Sequence, residues 1–309
     1  MTEAACRARR PWRSFALAFA LALAAAAPAL AECRVELRAV LPITLEGSIP
    51  TVDALIDGHP VSFGIDTGAQ GTILTPETVA RLHLKRDLEH FTTAIGRPGR
   101  LLINNALPNR FEFAGEIYQQ KSIPVIDLSQ PHADGEEAAA GTRMGGILGA
   151  DLLSLYDLDI DIPNRTLSLY RVQDCEKLTP AWNDADYMTV PLRLSRSGRP
   201  LLAVELDGKP ATAIFDSGAR FTLLAPPPSS PAGSPPRTLF VDGDKPAAPA
   251  PTRVTLKIGE ESLPPTELGH IEFPLGEADM LIGEDYMRSR RFWLSYATRT
   301  LFVRPASGR

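Results

Sequence analysis

Cysteine is scarce, at three in 309 residues, which excludes a small disulfide-dense scaffold. Charge is sparse as well, at 22% of residues, while Pro (28) and Gly (23) are plentiful, so long solvated helices give way to short elements and tight turns. There is no basic excess: 32 Lys+Arg stand against 37 Asp+Glu, a net charge of −5 that excludes a basic nucleic-acid binder. No long apolar run follows residue 27, which rules out a polytopic membrane protein. P-loop, dinucleotide-binding, Gly-x-Ser-x-Gly and His-Glu-x-x-His patterns are all missing. His59, His83, His90, His132 and His270 are scattered without ligand spacing, so no metal and no cofactor is implied. What is present is 44% hydrophobic residues, enough for one large domain or two smaller ones.

The first 31 residues have the pattern of an export signal. Arg7, Arg9, Arg10 and Arg13 precede an uncharged run from Phe15 to Ala27, then Pro28 and the small-residue pattern Ala29-Leu30-Ala31. Cleavage before Glu32 is expected, with an uncleaved N-terminal anchor as the alternative, and it implies a periplasmic or secreted protein with no membrane span left. The mature chain would carry 28 basic and 36 acidic residues, a charge of −8, and would lose Cys6. Cys33 and Cys175 are then the only thiols of a chain bound for an oxidising compartment, and a disulfide between them is expected.

The chain also repeats itself. Residues 50–74 overlay residues 200–224 without a gap at a constant offset of 150, matching Pro50, Asp57, Gly58, Pro60, Asp66, Gly68, Ala69, Thr72 and Leu74 with their partners. A second block from Ile147 overlays one from Leu281 at an offset of 134. Two blocks recurring in the same order indicate an internal duplication, hence two related lobes.

Each copy has the pattern of strands. Asp57-Gly58 and Asp207-Gly208 mark hairpin turns, Val61, Phe63 and Ile65 alternate toward Asp66, and Ala211, Ala213 and Phe215 do so toward Asp216. Thr75 can cap a helix with Pro76 in its first turn and an apolar side of Val79, Ala80 and Leu82. Asp157, Asp159 and Asp161 alternate with apolar residues, which predicts a solvated strand face. Trp182, Trp293 and Tyr296 are expected to be packing residues.

The chemistry lies in Asp66-Thr67-Gly68-Ala69 and Asp216-Ser217-Gly218-Ala219, each an acid, a hydroxyl, a glycine and a small residue at the end of an apolar strand. Gly68 and Gly218 permit a tight turn and close backbone approach, and the hydroxyls of Thr67 and Ser217 can hydrogen-bond across to the other copy. Two adjacent carboxyl groups do not readily both ionise, so they share a proton. One can then act as base on a water while the other acts as acid toward a carbonyl oxygen.

With these paired tetrads and the later triplets Ile147-Leu148-Gly149 and Leu281-Ile282-Gly283, the chain resembles the retropepsin-like aspartic proteases of the bacterial exported, single-chain, two-lobed kind. The resemblance implies an all-β fold of two pseudo-symmetric acid-protease β-barrel lobes with a few short helices. It also implies that Asp66 and Asp216 are the catalytic pair and that Thr67, Gly68, Ser217 and Gly218 support it. The triplets would pack behind the catalytic loops and lead into helices over 150–155 and 284–288. Residues 32–172 would form the first lobe, 173–187 a linker and 188–309 the second lobe. The expected activity is an aspartic endopeptidase acting as a monomer on a peptide or protein substrate; the alternative is a catalytically inactive peptide-binding or envelope-scaffold protein. A flap is expected from Thr92 to Leu101, with a weaker candidate at Asp242-Gly243, and the Pro-rich stretch after Leu224 departs from the first lobe, where a helix follows.

Overall fold

Alternation at the two Asp-Gly turns produces two matching hairpins. Ile49–Ile56 pairs antiparallel with His59–Ile65, and Pro200–Leu206 with Lys209–Phe215. Asp57 (φ 50°) and Gly58 (φ 80°), like Asp207 (φ 51°) and Gly208 (φ 73°), take the left-handed conformations that a two-residue hairpin turn requires. Each turn acid also works as a staple: Asp57 accepts the backbone N–H of Arg110 (2.7 Å) and Asp207 that of Thr255 (2.7 Å).

A computed structural model describes residues 32–96, 99–118, 122–128, 144–182, 186–226, 250–271 and 275–304. The expected signal segment, Asp242-Gly243 and most of the Pro-rich stretch after Leu224 lie outside the described residues. Within them the molecule is built almost wholly of strands with a few short helices, and its two halves repeat the same strand pairings. In each lobe the second hairpin strand runs parallel to a three-residue strand, Gly146–Leu148 in one and Met280–Ile282 in the other. Ile73–Leu74 and Leu223–Leu224 close the far side of these strands. Three helices follow the expected pattern, α1 (Pro76–Arg81), α2 (Ala150–Leu153) and α3 (Glu284–Met287), the last two shorter than the sequence suggests. Thr75 caps α1, its hydroxyl accepting the N–H of Thr78. The buried residue of that helix is Thr78, whereas Ala80 faces solvent.

Both halves of the chain weave the sheet between the lobes. Its antiparallel order is Arg34–Pro42, Thr166–Gln173, Asp157–Asp161, Arg291–Ser295, Thr300–Arg304 and Met188–Leu194, so Leu158 of the first half lies opposite Leu294 of the second. A disulfide joins Cys33 to Cys175 across 142 positions of sequence and fastens one edge of this sheet. No described helix is long and apolar enough to cross a membrane.

The acidic stripe corrects a sequence expectation. Every residue of Asp157–Asp161 is buried, and Asp159 is only 1% exposed. Asp159 accepts both Nε (2.9 Å) and Nη2 (2.7 Å) of Arg291 and the indole N–H of Trp182 (3.2 Å). Asp157 accepts the indole N–H of Trp293 and the backbone N–H of Ala297, and Asp161 holds the turn at Asn164. Alternation tells which side chains share a face but not what covers that face. Here the segment after Gln173 returns over it, with Leu178 and Trp182 packed against Trp293 and Phe302. Satisfied hydrogen bonds and an ion pair make burial of these carboxylates tolerable. Trp182, Trp293 and Tyr296 are all buried, as expected of packing residues.

Candidate active site

The two apolar strands end with their acids pointing at each other. The backbone N–H of Asp66 donates to Leu148 O (3.1 Å) and that of Asp216 to Ile282 O (2.9 Å), so the triplets hold both strand ends. Thr67 and Ser217 interlock across the two copies. Thr67 N–H donates to Ser217 Oγ (3.1 Å) and Ser217 N–H to Thr67 Oγ1 (3.1 Å), while the hydroxyls donate to Phe215 O (2.6 Å) and Ile65 O (2.7 Å) of the opposite lobe. Both side chains are fully buried, where each hydroxyl would be costly without these partners.

Gly68 and Gly218 are required by closeness. A Cβ on Gly68 would lie 2.1 Å from the carboxyl carbon of Asp216, and one on Gly218 would lie 2.3 Å from that of Asp66. Each acid therefore rests against the glycine of the other tetrad. The two carboxyl groups hydrogen-bond each other, and both pKa values are raised. For Asp66 the cause is burial first and the charge of Asp216 second, which place it well above the ordinary carboxylate range. Burial also raises Asp216, opposed by the hydrogen bond from Asp66 and by the N–H groups of Gly218 (2.9 Å) and Ala219 (3.1 Å). The charge of Arg199 adds to that opposition; its counterpart at the offset of 150 is the uncharged Ile49.

A further layer escaped the reading of single residues. Thr72 donates its backbone N–H and its hydroxyl to Asp151 Oδ1 (both 2.8 Å) and accepts the N–H of Gly149 (3.2 Å). Its partner Thr222 donates to Asp285 Oδ1 (2.7 Å) and accepts the N–H of Gly283 (3.2 Å). These bonds tie each tetrad loop to the helix behind it. The signal was available, since Thr72 and Thr222 match in one repeated block and Asp151 and Asp285 in the other.

The stretch Thr92 to Leu101 falls within a long hairpin, Lys85–Gly96 with Gly99–Leu107, on the first lobe. Between that hairpin and α1 opens a cleft of about 690 Å³, lined by Val79, His83, Arg86, Leu102 and Val125 among others but by none of the tetrad residues. Among the described residues no group of three or more His, Cys, Asp or Glu is placed to hold a metal ion.

Part of the chain resembles known proteins. Residues 52–152, which contain the first tetrad and the first triplet, match a family model described as aspartyl protease. The matched stretch is about a third of the chain. A crystal structure of a retropepsin-like aspartic protease from Rickettsia conorii is similar at 19% identity and a TM-score of 0.31, over 46% of this chain and 95% of that one. No curated protein matches this chain.

Proposed function

We propose that this chain is an aspartic endopeptidase whose dyad is Asp66 and Asp216, supported by Thr67, Gly68, Ser217 and Gly218. The carrying observation is that two carboxyl groups 150 residues apart in sequence rest against each other's glycines and share a hydrogen bond. Asp216, which accepts the hydrogen bond from Asp66 and has the charge of Arg199 nearby, is the member that holds negative charge. Asp66 holds the shared proton. A water between them and a peptide carbonyl would lose a proton to Asp216 while Asp66 protonates the carbonyl oxygen, giving a tetrahedral diol. Collapse of the diol returns a proton to Asp66 and passes one to the leaving amine, with no covalent intermediate.

On this reading residues 32–172 and 188–309 form the lobes, 173–187 joins them, and one chain forms the whole site as a monomer. Export by residues 1–31 fits the disulfide and the lack of a membrane-crossing helix among the described residues. The test is digestion of a peptide library from pH 3 to 8 by the wild type, Asp66→Asn and Asp216→Asn. The expectation is cleavage by the wild type alone, with all three chains folded. A wild type that folds and binds peptides yet cleaves none would support the inactive peptide-binding alternative.

A further inference from the structure

The two halves differ in chemistry one residue after the triplets. The first half has Ala150 there and the second has Glu284. Both backbone N–H groups do the same work, donating to the last carbonyl of the catalytic tetrad: Ala150 to Ala69 O (3.0 Å) and Glu284 to Ala219 O (2.8 Å). Only the second adds a carboxyl group. Glu284 is 2% exposed, and its Oε1 is buried with no hydrogen-bond partner.

A buried charge without a partner is expensive, so such a carboxyl stays neutral and its pKa rises. Burial pushes Glu284 up to about 7, with Asp285 adding to the rise and Arg288 opposing it. Those are the charges on its own helix. The catalytic loop packed against α3 carries Asp216, tied to Asp66 and its own loop, and Arg220, engaged in contacts of its own.

The counterpart Ala150 shows what lies on the other side. Its Cβ is 3.5 Å from where a Cβ on Gly198 would stand, in a turn that reaches across from the second lobe. The residue equivalent to Gly198 in the first half is Ser48, whose Oγ is also buried without a partner, and Glu46 at the end of the preceding strand has a partner of its own. Of the two equivalent positions, Ala150 and Glu284, only the second is ionisable.

We infer that Glu284, in its neutral form, is a positioning residue that keeps the Asp216 loop closed between the lobes, and that loss of its proton releases that loop. The ionised carboxylate must reach water, and α3 begins at Glu284, so the move withdraws the N–H that holds Ala219 O. This inference rests on the dyad reading for its effect on activity but not for its effect on structure.

The test uses the full chain in three arms. In an Asp66→Asn, Asp216→Asn background, carbon-13 NMR of labelled Glu carboxyl groups should show one group titrating near pH 7 instead of in the ordinary range, with no need for cleavage or for a folded Glu284 variant. In that same background, Glu284→Gln should flatten the fall in the urea unfolding midpoint between about pH 4.5 and 7. For cleavage, the ratio of kcat/KM for Glu284→Gln over wild type should be level below pH 6 and climb about tenfold per pH unit above 7, whatever the dyad itself does with pH. A titration near pH 4.5, or a ratio that stays constant across the range, overturns the inference. A titration near 7 in a chain that cleaves nothing upholds it while removing the protease reading.

Discussion

Substituting Gly68 by Ala tests the geometry of the dyad without touching either acid. The new methyl group would fall 2.1 Å from the Asp216 carboxyl carbon and 2.2 and 2.5 Å from its oxygens. Ordinary contact begins near 3.4 Å, so the carboxyl must retreat by roughly 1.3 Å. A displacement of about 1 Å in a reacting group can cost about a hundredfold in rate, equivalent to about 2.7 kcal/mol of transition-state stabilisation. Overpacking costs about 1–3 kcal/mol of stability, within what a folded chain tolerates. The assay is kcat/KM on any peptide the wild type cleaves, beside a thermal melt of the same preparation. Gly71→Ala serves as control, because a methyl there meets nothing closer than Asp151 Oδ2 at 3.8 Å and should leave rate and melt unchanged. Turnover of Gly68→Ala within about threefold of wild type would refute the claim that the acid of one lobe is seated on the glycine of the other.

Three further outcomes follow from the same structure. Asp66→Asn should end cleavage yet narrow the loss of stability between pH 4 and 7: a buried carboxyl whose folded pKa lies above its unfolded value loses stability as pH rises past that unfolded value, and Asn does not ionise. Urea midpoints at the two pH values check this, and an unchanged difference counts against the raised pKa. Cys33→Ser opens a loop closed across 142 positions, and the chain-entropy model sets the cost at up to about 5 kcal/mol, visible as a lower urea midpoint under oxidising conditions. Arg291→Met should cost about 3–5 kcal/mol, because it removes the partner of Asp159 and leaves that carboxylate buried; a loss below about 1 kcal/mol would show that the pair is not desolvated.

Much of the candidate site was legible because duplication writes it twice. The offset of 150 aligns Asp66 with Asp216 and Thr67 with Ser217, and the two Asp-Gly turns dictate hairpins through their left-handed dihedrals. The placement of the triplets behind the loops came from the resemblance, and the bonds from Asp66 N–H to Leu148 O and from Asp216 N–H to Ile282 O agree with it. What periodicity does not encode is the identity of a covering element. Asp157, Asp159 and Asp161 do share a face, but only the returning segment with Trp182 decides that the face is dry. Thr78, not Ala80, is the buried residue of α1, because the cap bond and the close approach of Gly145 outweigh an apolar pattern one turn long. Glu284 passed unremarked for a related reason: in a string of letters it is one acid among 37, and its meaning comes from the Ala219 carbonyl it holds and the solvent it lacks.

The woven sheet has an evolutionary corollary. When Asp157–Asp161 of one half hydrogen-bonds to Arg291–Ser295 of the other, the two halves are joined both by the chain and by a shared sheet. A symmetric pair of identical subunits must accept each substitution twice, whereas fused copies can keep Ala on one side and Glu on the other, so each half is free to specialise while the union stays intact.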